Sequence, residues 1–266
     1  MRGFLLINPR SGRGRPTAEE LLAEARACGV DTHLLQPGDD PAALARASEA
    51  EALGVAGGDG SLAPVAAVAV ERRLPFVSVP FGTRNHFARD LGIDRDDPVA
   101  ALSAFDGEER LVDVARVDGR LFLNNVSLGL YAALVHRREH HRRRGQVLAG
   151  ARALGLIARR RHGLHARVGG EHLSARIVLV ANNAYELRLF EVGARDTLDE
   201  GRLHLYAARG WLPSAWSERI GRAFRLEAEE SPLRAAIDGE PVDLDPPLAF
   251  EVEPRALRVR VARENG

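Results

Sequence analysis

Leu53-Gly-Val-Ala-Gly-Gly-Asp-Gly-Ser-Leu62 is the stretch from which the fold is read. Its first four residues form an apolar run of buried-strand length, and the glycines after it let the backbone turn tightly and approach a ligand that any Cβ would hold off. The Ala/Val segment from Ser61 to Arg73 reads as a helix. Gly57, Gly58, Asp59, Gly60 and Ser61 therefore fall between a strand C-terminus and a helix N-terminus, where amide N–H groups and the positive end of the helix dipole point at one spot. A plain glycine turn with Asp59 as helix cap accounts for the same residues, so the stretch needs company before it means phosphate binding.

That company lies on both sides. Gly3 to Asn8 is an apolar run ending in the polar loop Asn8-Pro-Arg-Ser-Gly-Arg-Gly-Arg15, and Thr17 with Glu20 makes a capping box for the helix that follows. Loop glycines and arginines of this kind hold phosphate or form a solvated basic turn. Gly12-x-Gly14 has Thr17 where a dinucleotide fingerprint needs its third glycine, which argues against a dehydrogenase. Thr32 to Leu35 reads as a strand, Asp40 to Ala50 as a helix with proline in its first turn, and Pro75 to Pro80 as another buried strand. It runs into Phe81-Gly-Thr-Arg-Asn-His-Phe-Ala-Arg89, where Gly82 and Thr83 are expected to open a helix carrying Arg84 and Asn85 in its first turn. Strands alternating with helices imply an α/β domain with a parallel three-layer sheet, and these loops share one edge of it.

After a helix expected over Pro98 to Phe105, the texture changes to short runs divided by turn dipeptides. Leu111–Val117 and Leu121–Val126 flank Asp118-Gly119, Gly169-Gly170 divides another pair, and Asp238-Gly239 closes a third, all hairpin signals of an antiparallel β-sandwich. The boundary is expected near Glu109, giving a nucleotide-binding domain over 1–109 and a β-rich domain over 110–252, with 253–266 returning to the first. Asn124-Asn125 and Asn182-Asn183 end apolar strands with amides, read most simply as strand-end turns. Val135–Arg144 and Arg159–His162 are basic runs flanking an Ala/Leu helix from Gln146 to Ile157, suited to a solvated face or to an anionic membrane surface.

The 266 residues carry no net formal charge and 45% hydrophobic residues, enough to bury a core and too balanced to draw the chain to nucleic acid. The lone Cys28 excludes an intramolecular disulfide and fits a reducing compartment, and no run is long enough for a signal peptide or membrane span, so a cytoplasmic protein is expected. The chain contains no lysine, which excludes a P-loop lysine or Schiff-base mechanism.

Asn8-Pro9, Gly57-Gly58-Asp59-Gly60-Ser61 and Pro80-Phe-Gly-Thr-Arg-Asn85 followed by Phe87-Ala-Arg89 together resemble the diacylglycerol kinase catalytic-domain family, which includes bacterial lipid kinases and sphingosine kinases. The resemblance implies the fold shared with NAD kinases, ATP held in a cleft between two domains, Mg²⁺, and phosphoryl transfer to a lipid alcohol such as diacylglycerol. It implies nucleotide contacts from Asn8, Pro9, Gly57, Gly58, Gly60, Ser61, Gly82, Thr83 and Asn85. Asp59, Asp238 and Glu240 become the catalytic carboxylates, with Asp59 and Asp238 both open as the base, and Asp199 a structural Mg²⁺ ligand. The chain departs at His86, where the family usually has an aspartate linked to magnesium. NAD kinase shares the Gly-Gly-Asp-Gly turn, and a nucleotide- or lipid-binding protein with impaired turnover fits His86; both remain alternatives. A peripheral association with the inner membrane face and a homodimer complete the expectations.

Overall fold

The computed structural model describes residues 2–12, 14, 16–129, 163–188, 191–208 and 216–263. The basic runs at Val135–Arg144 and Arg159–His162 and the helix expected between them lie outside those residues. The chain divides into two compact units, one of Met1–Val114, Thr197–Glu200 and Glu253–Gly266, the other of Ala115–Asp196 and Gly201–Val252.

The first unit alternates strand and helix: β1 (Gly3–Ile7), α1 (Ala18–Ala27), β2 (Asp31–Leu34), α2 (Pro41–Ala47), β3 (Ala52–Gly57), α3 (Asp59–Arg72), β4 (Phe76–Pro80), α4 (His86–Asp90), then a 3₁₀ helix over Ala100–Asp106. Its strands run parallel in the order β2-β1-β3-β4. Every residue of β3 and β4 is buried, as helices on both faces of a parallel sheet require. Thr17 and Glu20 cap α1 reciprocally, as the capping box predicts, and Asp40 caps α2 by accepting from Ala42 and Ala43 N–H. Gly3 and Gly54 leave room for the Phe105 ring, since a Cβ at either would lie 2.6 Å from it. Two expectations about helices shift. The segment after Pro98 winds as a 3₁₀ helix. The helix expected to open at Gly82 begins at His86, because Asn85 turns left-handed and closes its side chain onto Gly82.

The second unit is antiparallel. Its hairpins begin with the end of β5 (Glu108–Val117) and β6 (Arg120–Phe122), followed by β7 (Asn125–Gly129), β8 (Leu164–Val168), β9 (Glu171–Ala175), β10 (Ile177–Asn182), the short β11 (Leu187–Arg188) and β12 (Glu191–Val192), β13 (Leu203–Ala208), β14 (Trp216–Gly221), β15 (Ala223–Ala228), β16 (Leu233–Ile237) and β17 (Glu240–Leu244). One layer has the order β14-β13-β10-β7-β16-β17, and the other joins β9, β8, β15 and the start of β18 (Leu248–Val261). Val126, Leu128, Val180 and Leu205 of the first layer and Leu164, Val168, Leu226 and Phe250 of the second belong to one buried cluster, so the two layers form a sandwich. The turns have the conformations that their dipeptides predict: Asp118-Gly119, Gly169-Gly170 and Asp238-Gly239 all take positive φ.

β18 corrects one expectation. The two closing strands foreseen at Leu248–Val252 and Ala256–Val261 are a single strand that passes through Pro254 and a left-handed Arg255. The Arg255 amide, turned out of the ladder there, donates to Asp113 at 2.8 Å, and beyond the kink Val259 and Arg260 run parallel to β4.

Candidate active site

In the first unit the register sets three loops at one level: Ile7 lies opposite Ala56, and Gly57 opposite Pro80, so the chain leaves β1, β3 and β4 side by side. The chain moves from β1 outward to β2 and then back to β3 on the other side. The gap between β1 and β3 is therefore the point where open α/β sheets bind ligands.

Direct contacts lock these loops together. Pro9 sits in the turn closed by Ser11 N–H on the Asn8 carbonyl, and the Asn8 side chain donates to Ser61 Oγ at 2.9 Å. A Cβ on Gly57 would lie 2.8 Å from the Ser61 Cβ; one on Gly82 would lie 2.4 Å from the Gly58 Cα. The β3–α3 and β4–α4 loops thus touch backbone to backbone, and glycine is what permits it. Gly12 presses on Phe81 in the same way, with a would-be Cβ 2.4 Å from the ring. Asp59 opens α3 and accepts from the amides of His86 and Phe87 at 3.0 and 2.9 Å, so one carboxylate satisfies the first turn of α4 while resting at the positive end of its own helix. Asn85 is buried, Gly60 and Ser61 are half-buried in the first turn of α3, and Thr83 is exposed at the tip of the β4–α4 loop.

His86 is held half-buried beside this junction. Burial pushes its imidazole below the ordinary histidine value; Asp59 opposes that shift, and Arg89 and Arg84 reinforce it.

Asp199 lies in the same unit, where its carboxylate meets the Arg255 guanidinium at 2.9 Å, and Asp113 N–H donates to the neighbouring Leu198 carbonyl. Among the described residues no three or more His, Cys, Asp or Glu side chains gather as a cation site. Asp199 takes part in an ion pair here, and no chemical step is assigned to it.

The second unit holds the other carboxylates on the β16–β17 hairpin. Asp238 is 7% exposed. It accepts from Leu123 N–H at 2.8 Å on one oxygen and from Asn124 and Asn125 N–H at 2.7 and 3.1 Å on the other. Its own amide donates to the Asn125 carbonyl. Glu240, two residues on, is exposed. The asparagines that read as simple strand-end turns are joined beneath Asp238. Asn182 donates to the Leu123 carbonyl, and the buried Arg195 bridges Leu123, Asn124 and Asn182 while lying over the Tyr185 ring. Sequence reasoning passed over Arg195 and Tyr185. The one signal was the repetition of Asn-Asn at two strand ends, since amides placed where apolar strands stop must find partners.

Comparison with known proteins gives a consistent result. Residues 2–117 match the diacylglycerol kinase catalytic domain. A probable lipid kinase, YegS-like, from Pseudomonas aeruginosa is 29% identical over 97% of this chain and 93% of its own length. A Klebsiella pneumoniae protein of the same description is 24% identical over 97% and 95%. A solved structure of a putative diacylglycerol kinase from Bacillus anthracis superposes with a TM-score of 0.71 at 21% identity, covering 98% of this chain and 97% of that one, and so shares the fold.

Proposed function

We propose that the chain, whose residues 2–117 match the diacylglycerol kinase catalytic domain, is an ATP-dependent lipid kinase acting on the hydroxyl of a lipid such as diacylglycerol. The observation that carries the reading is the backbone contact between the Gly58 and Gly82 loops, a cradle that a Cβ would fill, beside the amides at the start of α3. In a chain without lysine, amides, loop arginines such as Arg10 and Arg84, and the side chains of Asn8, Ser61, Thr83 and Asn85 remain to hold a triphosphate. Bound ATP would supply the phosphoryl group, and the Mg²⁺ that accompanies it would offset the charge.

Phosphoryl transfer with a loose transition state asks little basicity of the proton acceptor and much of its placement. We assign the substrate hydroxyl proton to Asp238, whose orientation within its own unit three backbone amides fix. Asp59, which accepts two amides of α4 and so holds the glycine loops in register, stays the alternative acceptor. The exposed Glu240 offers the carboxylate that a nucleotide-borne cation needs. The lysine-free basic runs suit contact with an anionic lipid surface, and among the described residues no helix is long and apolar enough to cross a membrane.

The test is transfer of radiolabelled γ-phosphate from ATP to a panel of diacylglycerol, sphingoid and isoprenoid alcohols, with NAD beside them. Labelled lipid is expected. No label on any lipid overturns the reading, and label on NAD instead moves the protein to the NAD kinases. Asp238→Asn should cut turnover at least about a hundredfold, the size of a positioned acceptor's contribution.

A further inference from the structure

Arg195 lies in irregular chain between β12 and β13, 3% exposed, and does more than fill space. One terminal nitrogen donates to the Leu123 carbonyl at 2.7 Å and the Asn182 carbonyl at 3.0 Å; the other donates to the Asn124 side-chain oxygen at 2.7 Å. Its plane lies over the Tyr185 ring, 5.4 Å from the centroid, and the Tyr185 hydroxyl accepts from the Asn125 side chain. Leu123 and Asn124 belong to the tripeptide Leu123-Asn124-Asn125, whose amides bind the Asp238 carboxylate.

We propose that Arg195 is a positioning residue for phosphoryl transfer: its guanidinium fork grips the Leu123 carbonyl, and so the peptide plane that carries the Asn124 N–H, and holds the Asn124 side chain, which keeps the tripeptide in place to bind Asp238. This rests on the lipid-kinase reading for the reaction, but not for the geometry. A peptide plane gripped at its carbonyl has its neighbouring N–H direction set as well, because the unit is rigid. Asp238 cannot do this by itself. It sits at the first position of a tight Asp-Gly turn with φ of 48°, and its side chain has no fixed target unless the tripeptide is already in place. Arginine suits the task where lysine does not, since a planar fork serves several acceptors at set angles and stacks on an aromatic face, whereas an ammonium is a point charge on a flexible stem. Asn182 adds a second hold on the Leu123 carbonyl at 3.1 Å.

The experiment uses the full chain with Arg195→Leu and Arg195→Lys, and follows two readouts. The first is amide hydrogen exchange at Leu123, Asn124 and Asn125, which needs no activity. The second is the separation of kcat from KM for ATP in the lipid-labelling assay. In Arg195→Leu the Asn124 amide, and with it its neighbours Leu123 and Asn125 on the same carboxylate, are expected to exchange at least about tenfold faster, as loss of a buried charge-assisted hydrogen bond implies, with amides of β3 unchanged. With the acceptor misplaced, kcat falls about a hundredfold while KM for ATP stays as in the wild type. Arg195→Lys leaves both defects largely in place. Wild-type exchange in a folded Arg195→Leu overturns the proposal, as does full restoration of both readouts by lysine, which would make charge alone the agent. Should Arg195→Leu fail to fold, Asn124→Leu, which removes a single side-chain acceptor of the fork, is judged by the same exchange criterion. A wild type that labels no lipid defeats the kinase reading, and the exchange result then decides by itself whether Arg195 sets the Asp238 loop.

Discussion

Gly82→Ala puts the loop contact under the most direct mechanical stress. Gly82 is not in the left-handed region, so alanine can adopt its backbone and the cost is one of space. The added Cβ would lie 2.4 Å from the Gly58 Cα, 2.9 Å from the Gly58 nitrogen and 2.7 Å from the Asn85 Oδ1. Non-bonded carbons sit at about 3.5–4.0 Å, so the two loops must part by on the order of an ångström. Two of the three obstacles are backbone and the third is a buried side chain, so no flexible group can swing away. Overpacking of this kind costs about 1–3 kcal/mol, which for a chain of this size lowers the melting temperature by about 2–4 °C per kcal/mol. A misplacement of about 1 Å costs about a hundredfold in rate. Circular-dichroism melting with initial rates at varied ATP should therefore show a lower melting temperature and kcat/KM for ATP down about a hundredfold. Wild-type melting would refute the close contact itself. A lower melting temperature with undiminished kcat/KM would refute the link between the contact and nucleotide use.

Two predictions concern protons. Because burial holds His86 below its unfolded value, the unfolded chain binds a proton in the window between the two values that the folded chain refuses. Stability should then fall as pH drops through about 6.5, and His86→Asn should flatten that slope in urea titrations; an unaltered slope contradicts the assignment. Glu109 is held below the usual carboxylate range by Arg260 and Arg258, whose side chains also grip the Phe105 and Arg73 carbonyls. That stability is present above the unfolded carboxylate value and lost as pH falls through the lower folded one. Glu109→Gln should thus be less stable at pH 7 and show a shallower acid limb, and equal stability at pH 7 would count against the pairing.

The sequence carries the fold well where local chemistry decides it. Thr17 and Glu20, Asp40 before Pro41, and the Asp-Gly and Gly-Gly turns each specify geometry within a few residues, and the structure has them. It carries less where distant groups arbitrate. Asn85 could have entered a helix on propensity alone; its side chain bonding back to Gly82, and Asp59 taking the next two amides, delay α4 to His86. Pro254 suggested a strand break, but Asp113, far away in sequence, takes the Arg255 amide and lets β18 continue. For the candidate site, the glycines and Asp59 were legible because steric demand and helix ends leave a pattern. Arg195 was not: its role comes from a fold that brings Leu123, Asn124 and Asn182 around one guanidinium, and nothing near it in the chain announces that.

Calorimetric titration of ATP into the wild type and Gly58→Ala bears most directly on the central claim, that a nucleotide phosphate rests against the β3–α3 turn. Gly58 has φ of −82° and ψ of 171°, which alanine accepts, and among the described residues its Cβ would meet nothing nearer than the Gly82 Cα at 3.8 Å. The methyl group therefore obstructs a ligand and not the fold. ATP should bind the wild type and bind Gly58→Ala far more weakly, with equal melting temperatures for the two. Equal affinity in the two proteins, or no binding to the wild type, would contradict the account.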